Sequence, residues 1–162
     1  MKIAGSLNLA GVILLTACST RNAHQTGSSD DLKGSWQCVS AIVDGKPLPE
    51  QTVNRLRLTL TETRYITQKG EEALFDSTYT TDRSRTPKQI NMVGTEGELA
   101  GKVAQGIYAV DGNILRLCYT MPGRPRPISF DSPTGSGAYL MTWTRASSAE
   151  RTGYRPSHQI GR

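Results

Sequence analysis

Apolar and polar residues alternate in short runs through the middle of the chain, and almost nowhere do apolar residues recur at helical spacing. In residues 55–60 the leucines Leu56, Leu58 and Leu60 share one face. In 113–120 Leu115, Leu117 and Tyr119 alternate with Arg116, Cys118 and Thr120. A period of two is the side-chain period of a strand, so each run predicts one buried face and one wet face. The same reading predicts strands at 35–43, 65–68, 73–80, 89–93, 102–110 and 138–144. Ala73, Phe75, Ser77 and Tyr79 share a face in the third of these, and Tyr139, Met141 and Trp143 do so in the last.

Asp111-Gly112 falls between runs rich in β-branched and aromatic residues, the pattern of a tight hairpin turn, and Asp44-Gly45-Lys46-Pro47-Leu48-Pro49 breaks the first strand with a turn. Residues 50–54 suit a single helical turn, and 122–137 read as a long irregular segment. About eight short strands separated by turns signify an all-β barrel or sandwich. If the interior is filled, the residues expected to fill it are Trp36, Leu56, Leu58, Leu60, Phe75, Leu115, Leu117, Met141 and Trp143.

The two ends of the chain follow other rules. Met1-Lys2 precedes an apolar stretch over 3–15, and Leu15-Thr16-Ala17-Cys18 resembles the lipobox of bacterial lipoproteins. That resemblance implies a signal peptide at 1–17 and a lipid, palmitate among its acyl groups, on Cys18. The protein is then exported and anchored to the cell envelope, and Ser19 after the cysteine implies the outer membrane if the source is Gram-negative. Residues 18–31 are polar and small, a flexible tether, and 146–162 read as a disordered tail. The predicted domain is 32–145.

Several pieces of that domain, in order, resemble an uncharacterised lipocalin-like bacterial domain family frequent in planctomycetes. They are Leu32-Lys33-Gly34-Ser35-Trp36, Asp44 to Pro49, Gly106-Ile107-Tyr108 leading through Asp111-Gly112 to Leu115-Arg116-Leu117-Cys118-Tyr119, Pro122 to Pro127, and Gly135-Ser136-Gly137. The resemblance implies an antiparallel up-and-down barrel of about eight strands with at most one short helix. It implies no established activity. Gly34-Ser35-Trp36 also resembles the Gly-X-Trp that opens the first lipocalin strand, and Arg145 stands where lipocalins place an arginine over that tryptophan. The resemblance thus gives Trp36 and Arg145 a structural role.

With 19 Lys and Arg against 14 Asp and Glu the chain is mildly basic, but its aromatic content is only 6%, so stacking aromatics among basic patches, as a nucleic-acid binder needs, are missing. The only histidines, His24 and His158, fall in the tether and the tail. A Ser-His or Cys-His relay therefore has no base inside the domain, and a His-containing metal cluster has no ligands there. No catalytic residue, metal or cofactor is expected.

Cys38 shares parity with inward Trp36, and Cys118 with outward Arg116. Opposite faces argue against a disulfide, and two small buried or half-buried thiols are the plainer reading. Arg124 and Arg126 alternate with prolines, which fix the backbone and would present two guanidinium groups to an anion. Local pairing with Asp131 is the competing explanation. Two functional classes remain open. Either the barrel holds a small apolar or amphipathic molecule, against inward residues such as Leu58, Phe75 and Leu117 with any acidic head at Arg124 or Arg126, or the interior is filled and the domain is an envelope scaffold or interaction module.

Overall fold

In the computed structural model, residues 32–146 are described. The expected signal peptide, Cys18 and the tether, and all but the first residue of the expected tail, lie outside the described residues. The strands are β1 (Gly34–Val43), β2 (Lys46–Pro47), β3 (Leu56–Leu60), β4 (Arg64–Lys69), β5 (Glu72–Asp82), β6 (Lys88–Gly94), β7 (Val103–Asp111), β8 (Ile114–Thr120) and β9 (Ala138–Arg145). One helical turn, α1 (Glu50–Val53), and one 3-10 turn (Gly97–Leu99) interrupt them.

From β3 onward each strand pairs antiparallel with the next, and β1 pairs with both β3 and β9. The result is a closed eight-stranded up-and-down barrel, with β2 as a short extra strand held only by β1. Closure gives every long strand two neighbours, so none presents a row of unpaired backbone groups.

Turn chemistry explains the tight connections. Asp44 (φ 50°) and Gly45 (φ 81°) both adopt left-handed backbone, as a two-residue hairpin loop whose twist matches its flanking strands requires. Asp tolerates that region better than most residues, and the Asp44 Oδ1 accepts the Gly137 N–H at 2.7 Å, tying the turn to the segment before β9. A bulge in β5 at Leu74, opposite the Thr67–Gln68 step of β4, places Leu74 beside Phe75.

The alternating positions read from the sequence face inward. Trp36, Leu58, Leu115, Leu117 and Trp143 are fully buried, and Phe75 packs partly buried against them. One end of the barrel is closed. There the Trp36 indole N–H donates to the Leu32 carbonyl at 2.9 Å, and the Arg145 guanidinium lies 4.3 Å above the Trp36 ring. Arg145 also donates to the Lys33 carbonyl at 2.8 Å. A cation over an indole face is attracted by the ring quadrupole, so the pair seals the end while the charge stays near water.

The expectation of a wet outer face on β8 needs correction. The segment 121–137 folds back over the outside of β7, β8 and β9, and Ile107, Cys118 and Ala138 form a second small core there with Phe130 and Leu140. Cys118 is outward, as its parity requires, yet it is wholly buried and its Sγ–H donates to the Asp131 carbonyl at 3.2 Å. Arg116 covers the Phe130 ring at 4.6 Å, and the Thr120 hydroxyl donates to the Pro125 carbonyl at 2.9 Å. The irregular segment is a strap.

Candidate functional site

The strands run alternately between the closed end and the opposite end, where β1 finishes, β3 begins, and β8 passes into the strap. At that opposite end the interior is not filled. A half-enclosed cavity of about 350 Å³ opens there, lined by side chains from β1, β3, β4, β5, β8 and β9 and by two excursions between strands. Its volume falls at the lower end of the range for small-molecule pockets, and its walls are mainly apolar.

Sequence explains why the interior divides in this way. On β9, which runs from the open end to the closed end, Tyr139, Met141 and Trp143 step down the wall, with Trp143 the deepest of the three. Leu58, Leu115 and Trp36 are wholly buried and do not border the cavity. The rest of the wall includes Leu56, Thr67, Phe75 and Tyr119. Tyr119 and Tyr139 stack at 5.1 Å, and Tyr65 meets Phe75 edge-on at 6.1 Å, so the aromatic walls brace each other.

The two excursions shape the mouth. Leu48 and Thr52 arrive on the segment between β2 and β3, which is pinned by the Leu48 N–H to the Ala41 carbonyl at 2.9 Å and by the Gln37 amide to the Leu56 carbonyl at 3.2 Å. Leu99 arrives on the 3-10 turn after β6. A Cβ at Gly94 would lie 2.2 Å from the Leu99 carbonyl oxygen, so the turn can fold this close only because residue 94 is glycine. Lys69, at the end of β4, supplies a cation to the rim.

Of the residues expected to meet a ligand, Phe75 lines this cavity. Leu58 and Leu117 are buried in the packed core, at 0% and 1% exposure, and do not border it. Arg124 and Arg126 lie on the strap rather than at the mouth. The Arg126 guanidinium donates to the carbonyls of Ile90 and Gly106 and to the Asn91 Oδ1, bolting the strap to β6 and β7. Arg124 donates to the carbonyls of Gly135 and Ser136, both at 3.4 Å. Their donors are directed to carbonyls and an amide, not to Asp131 or an open site. The cation at the cavity rim is Lys69 instead.

Burial governs the titratable groups of the interior. It pushes the Cys38 thiol up to about 11 against a smaller opposing effect of the Ser40 carbonyl. Burial likewise pushes the Cys118 thiol up to about 11, helped by nearby Asp131. Both thiols are free and stay protonated at neutral pH, the opposite of what a nucleophilic cysteine needs. The Tyr65 and Tyr119 phenols are raised by burial first and by neighbouring phenols and thiols second. Among the described residues no group of three His, Cys, Asp or Glu side chains is placed to hold a metal ion. No family model, curated protein or solved structure matches the chain.

Proposed function

We propose that this protein is an exported, lipid-anchored binding module of lipocalin-like type, whose barrel holds a small apolar or amphipathic molecule in its open half and performs no chemistry on it. The observation that carries the binding reading is the cavity of about 350 Å³, walled mainly by apolar side chains, at one end of a barrel whose other end is sealed. A domain needed only as a scaffold gains stability by filling that space, because each missing packing contact lowers it. The raised thiol pKa values and the location of both histidines in the expected tether and tail favour a passive site over a catalytic one.

The anchoring part of the proposal rests on Leu15-Thr16-Ala17-Cys18 behind its apolar stretch. Intact-mass measurement of protein from a bacterial membrane fraction tests it: added acyl chains on a chain beginning at Cys18 are expected, and an unmodified cysteine overturns it. The binding part is tested by calorimetry on delipidated protein with fatty acids, phospholipids and isoprenoids. Saturable binding of at least one class is expected. No binding across the panel leaves the scaffold reading in its place.

A further inference from the structure

Among the described residues that line the cavity, Lys69 is the one that carries a charge. On β4 Tyr65, Thr67 and Lys69 alternate on the inward face, the first two buried, and they stand opposite Leu60, Leu58 and Leu56 of β3, which are buried as well. Lys69 ends that row, half-buried, where a lysine lays its apolar stem along the wall and keeps its ammonium at the mouth. Arg55 brings a second cation to the same lip, since its guanidinium would lie 3.0 Å from a Cβ at Gly70, the residue after Lys69. Neither cation forms an ion pair among the described residues. Glu72 is the register partner of Lys69 on β5, yet Glu72, Glu71 and Glu98 of the adjoining turns are all exposed, and none of them borders the cavity.

We propose that the cavity takes a single-chain amphiphile with an anionic head, its alkyl chain against Phe75, Tyr139 and Met141 and its head at the lip beside Lys69 and Arg55. The inference rests on the ligand-binding reading above and names the class of ligand. Apolar walls give an alkyl chain its burial and offer an anion nothing, so the head belongs where the cations are and where water still reaches it. Beside a wall of low dielectric the attraction of Lys69 for an anion is stronger than in bulk water, and it acts equally against a cationic head. A volume of about 350 Å³, at the lower end of the range for small-molecule pockets, suits one short alkyl chain and not the two of a phospholipid.

The test uses the chain from residue 18 onward carrying Cys18→Ser, so that no acyl chain competes for the cavity. Four probes with the same alkyl chain are titrated by calorimetry: decanoate, monodecyl phosphate, decan-1-ol and decyltrimethylammonium. Decanoate is expected to bind roughly tenfold tighter than decan-1-ol, the effect of one charge-assisted contact at a half-exposed site. Lys69→Met keeps the apolar stem and removes the charge, and it should bring that ratio to about one or below while leaving decan-1-ol binding unchanged. In the protein with Lys69 the ratio should also fall as salt is raised, a readout that survives if the variant folds poorly. Tighter binding of both anions than of decan-1-ol supports the inference, and their order tells a carboxylate head from a phosphate head. Equal affinity for decanoate and decan-1-ol at all salt concentrations overturns it and leaves the binding reading standing. So does a preference for decanoate that a folded Lys69→Met variant keeps in full, or tighter binding of decyltrimethylammonium than of decanoate. Absence of saturable binding by all four overturns both.

Discussion

At one end of the barrel Trp36 is wholly buried, with its N–H bonded and its ring capped by Arg145. A few residues along the same wall Trp143 is equally buried, but its N–H has no partner and its ring borders open space. The two residues lie on paired strands, in a register that sets Trp36 opposite Arg145 and Cys38 opposite Trp143. What separates the ends is therefore not composition but what stands across the bore. Trp36 and its register partner Leu58 are wholly buried in the packed core. At the open end, the wall residues face a gap that only the two excursions, bearing Leu48 and Leu99, partly roof.

That contrast assigns stability to the closed half and recognition to the open half, and substitutions should separate the two. Trp36→Ala should have the largest effect, a loss of about 3–5 kcal/mol in urea unfolding, because it empties the packed section and removes the seat of Arg145. A loss below about 1 kcal/mol would mean that the closed end is not the packed base described.

Alkaline pH should come next. The folded-state pKa of each thiol, about 11, stands above that of an unfolded cysteine, about 8.5. The neutral-thiol contribution is thus complete below about pH 8.5 and is lost as pH rises through 11, by roughly 2–3 kcal/mol per thiol. Unfolding followed from pH 8 to pH 11 should show this decline, and Cys118→Ala should remove about half of the thiol share. An unchanged midpoint across that window would contradict the burial of both groups.

Arg126→Gln should cost about 1–3 kcal/mol by leaving the Ile90 and Gly106 carbonyls without their donor, and it should not alter ligand affinity. Weakened ligand binding in a variant of unchanged stability would instead return Arg126 to a rim role. The smallest change in stability, within about 1 kcal/mol, is expected for Leu48→Trp, which adds bulk at the mouth rather than in the packed section. The same substitution should lower ligand affinity at least about tenfold, which calorimetry would measure.

Periodicity made the inner face of the barrel legible. Leu56, Leu58 and Leu60, or Leu115 and Leu117, have one choice of buried side, and the turns at Asp44-Gly45 and Asp111-Gly112 mark where the chain reverses. It could not make the outer layer legible. Cys118 is buried because residues 122–137 return across β8, and a contact between an irregular segment and a strand face leaves no period in either. Arg126 looked available for an anion because its prolines fix the backbone, yet the same rigidity aims it at the Ile90 and Gly106 carbonyls. The cavity was hidden for a related reason. Leu58 and Phe75 both face inward and share one row of the register through Thr67, so the alternation pattern does not tell the one that packs from the one that lines open space.

The most direct test of the division between the two halves is a residue-resolved NMR titration of the chain from residue 18 onward, carrying Cys18→Ser, with decanoate. Saturable shifts are predicted at Leu48, Phe75, Leu99 and Tyr139 around the cavity, with Trp36, Leu58 and Arg145 at the closed end and Phe130 on the strap unmoved. Saturable shifts centred on the closed end or the strap, or none at the open end, would contradict it.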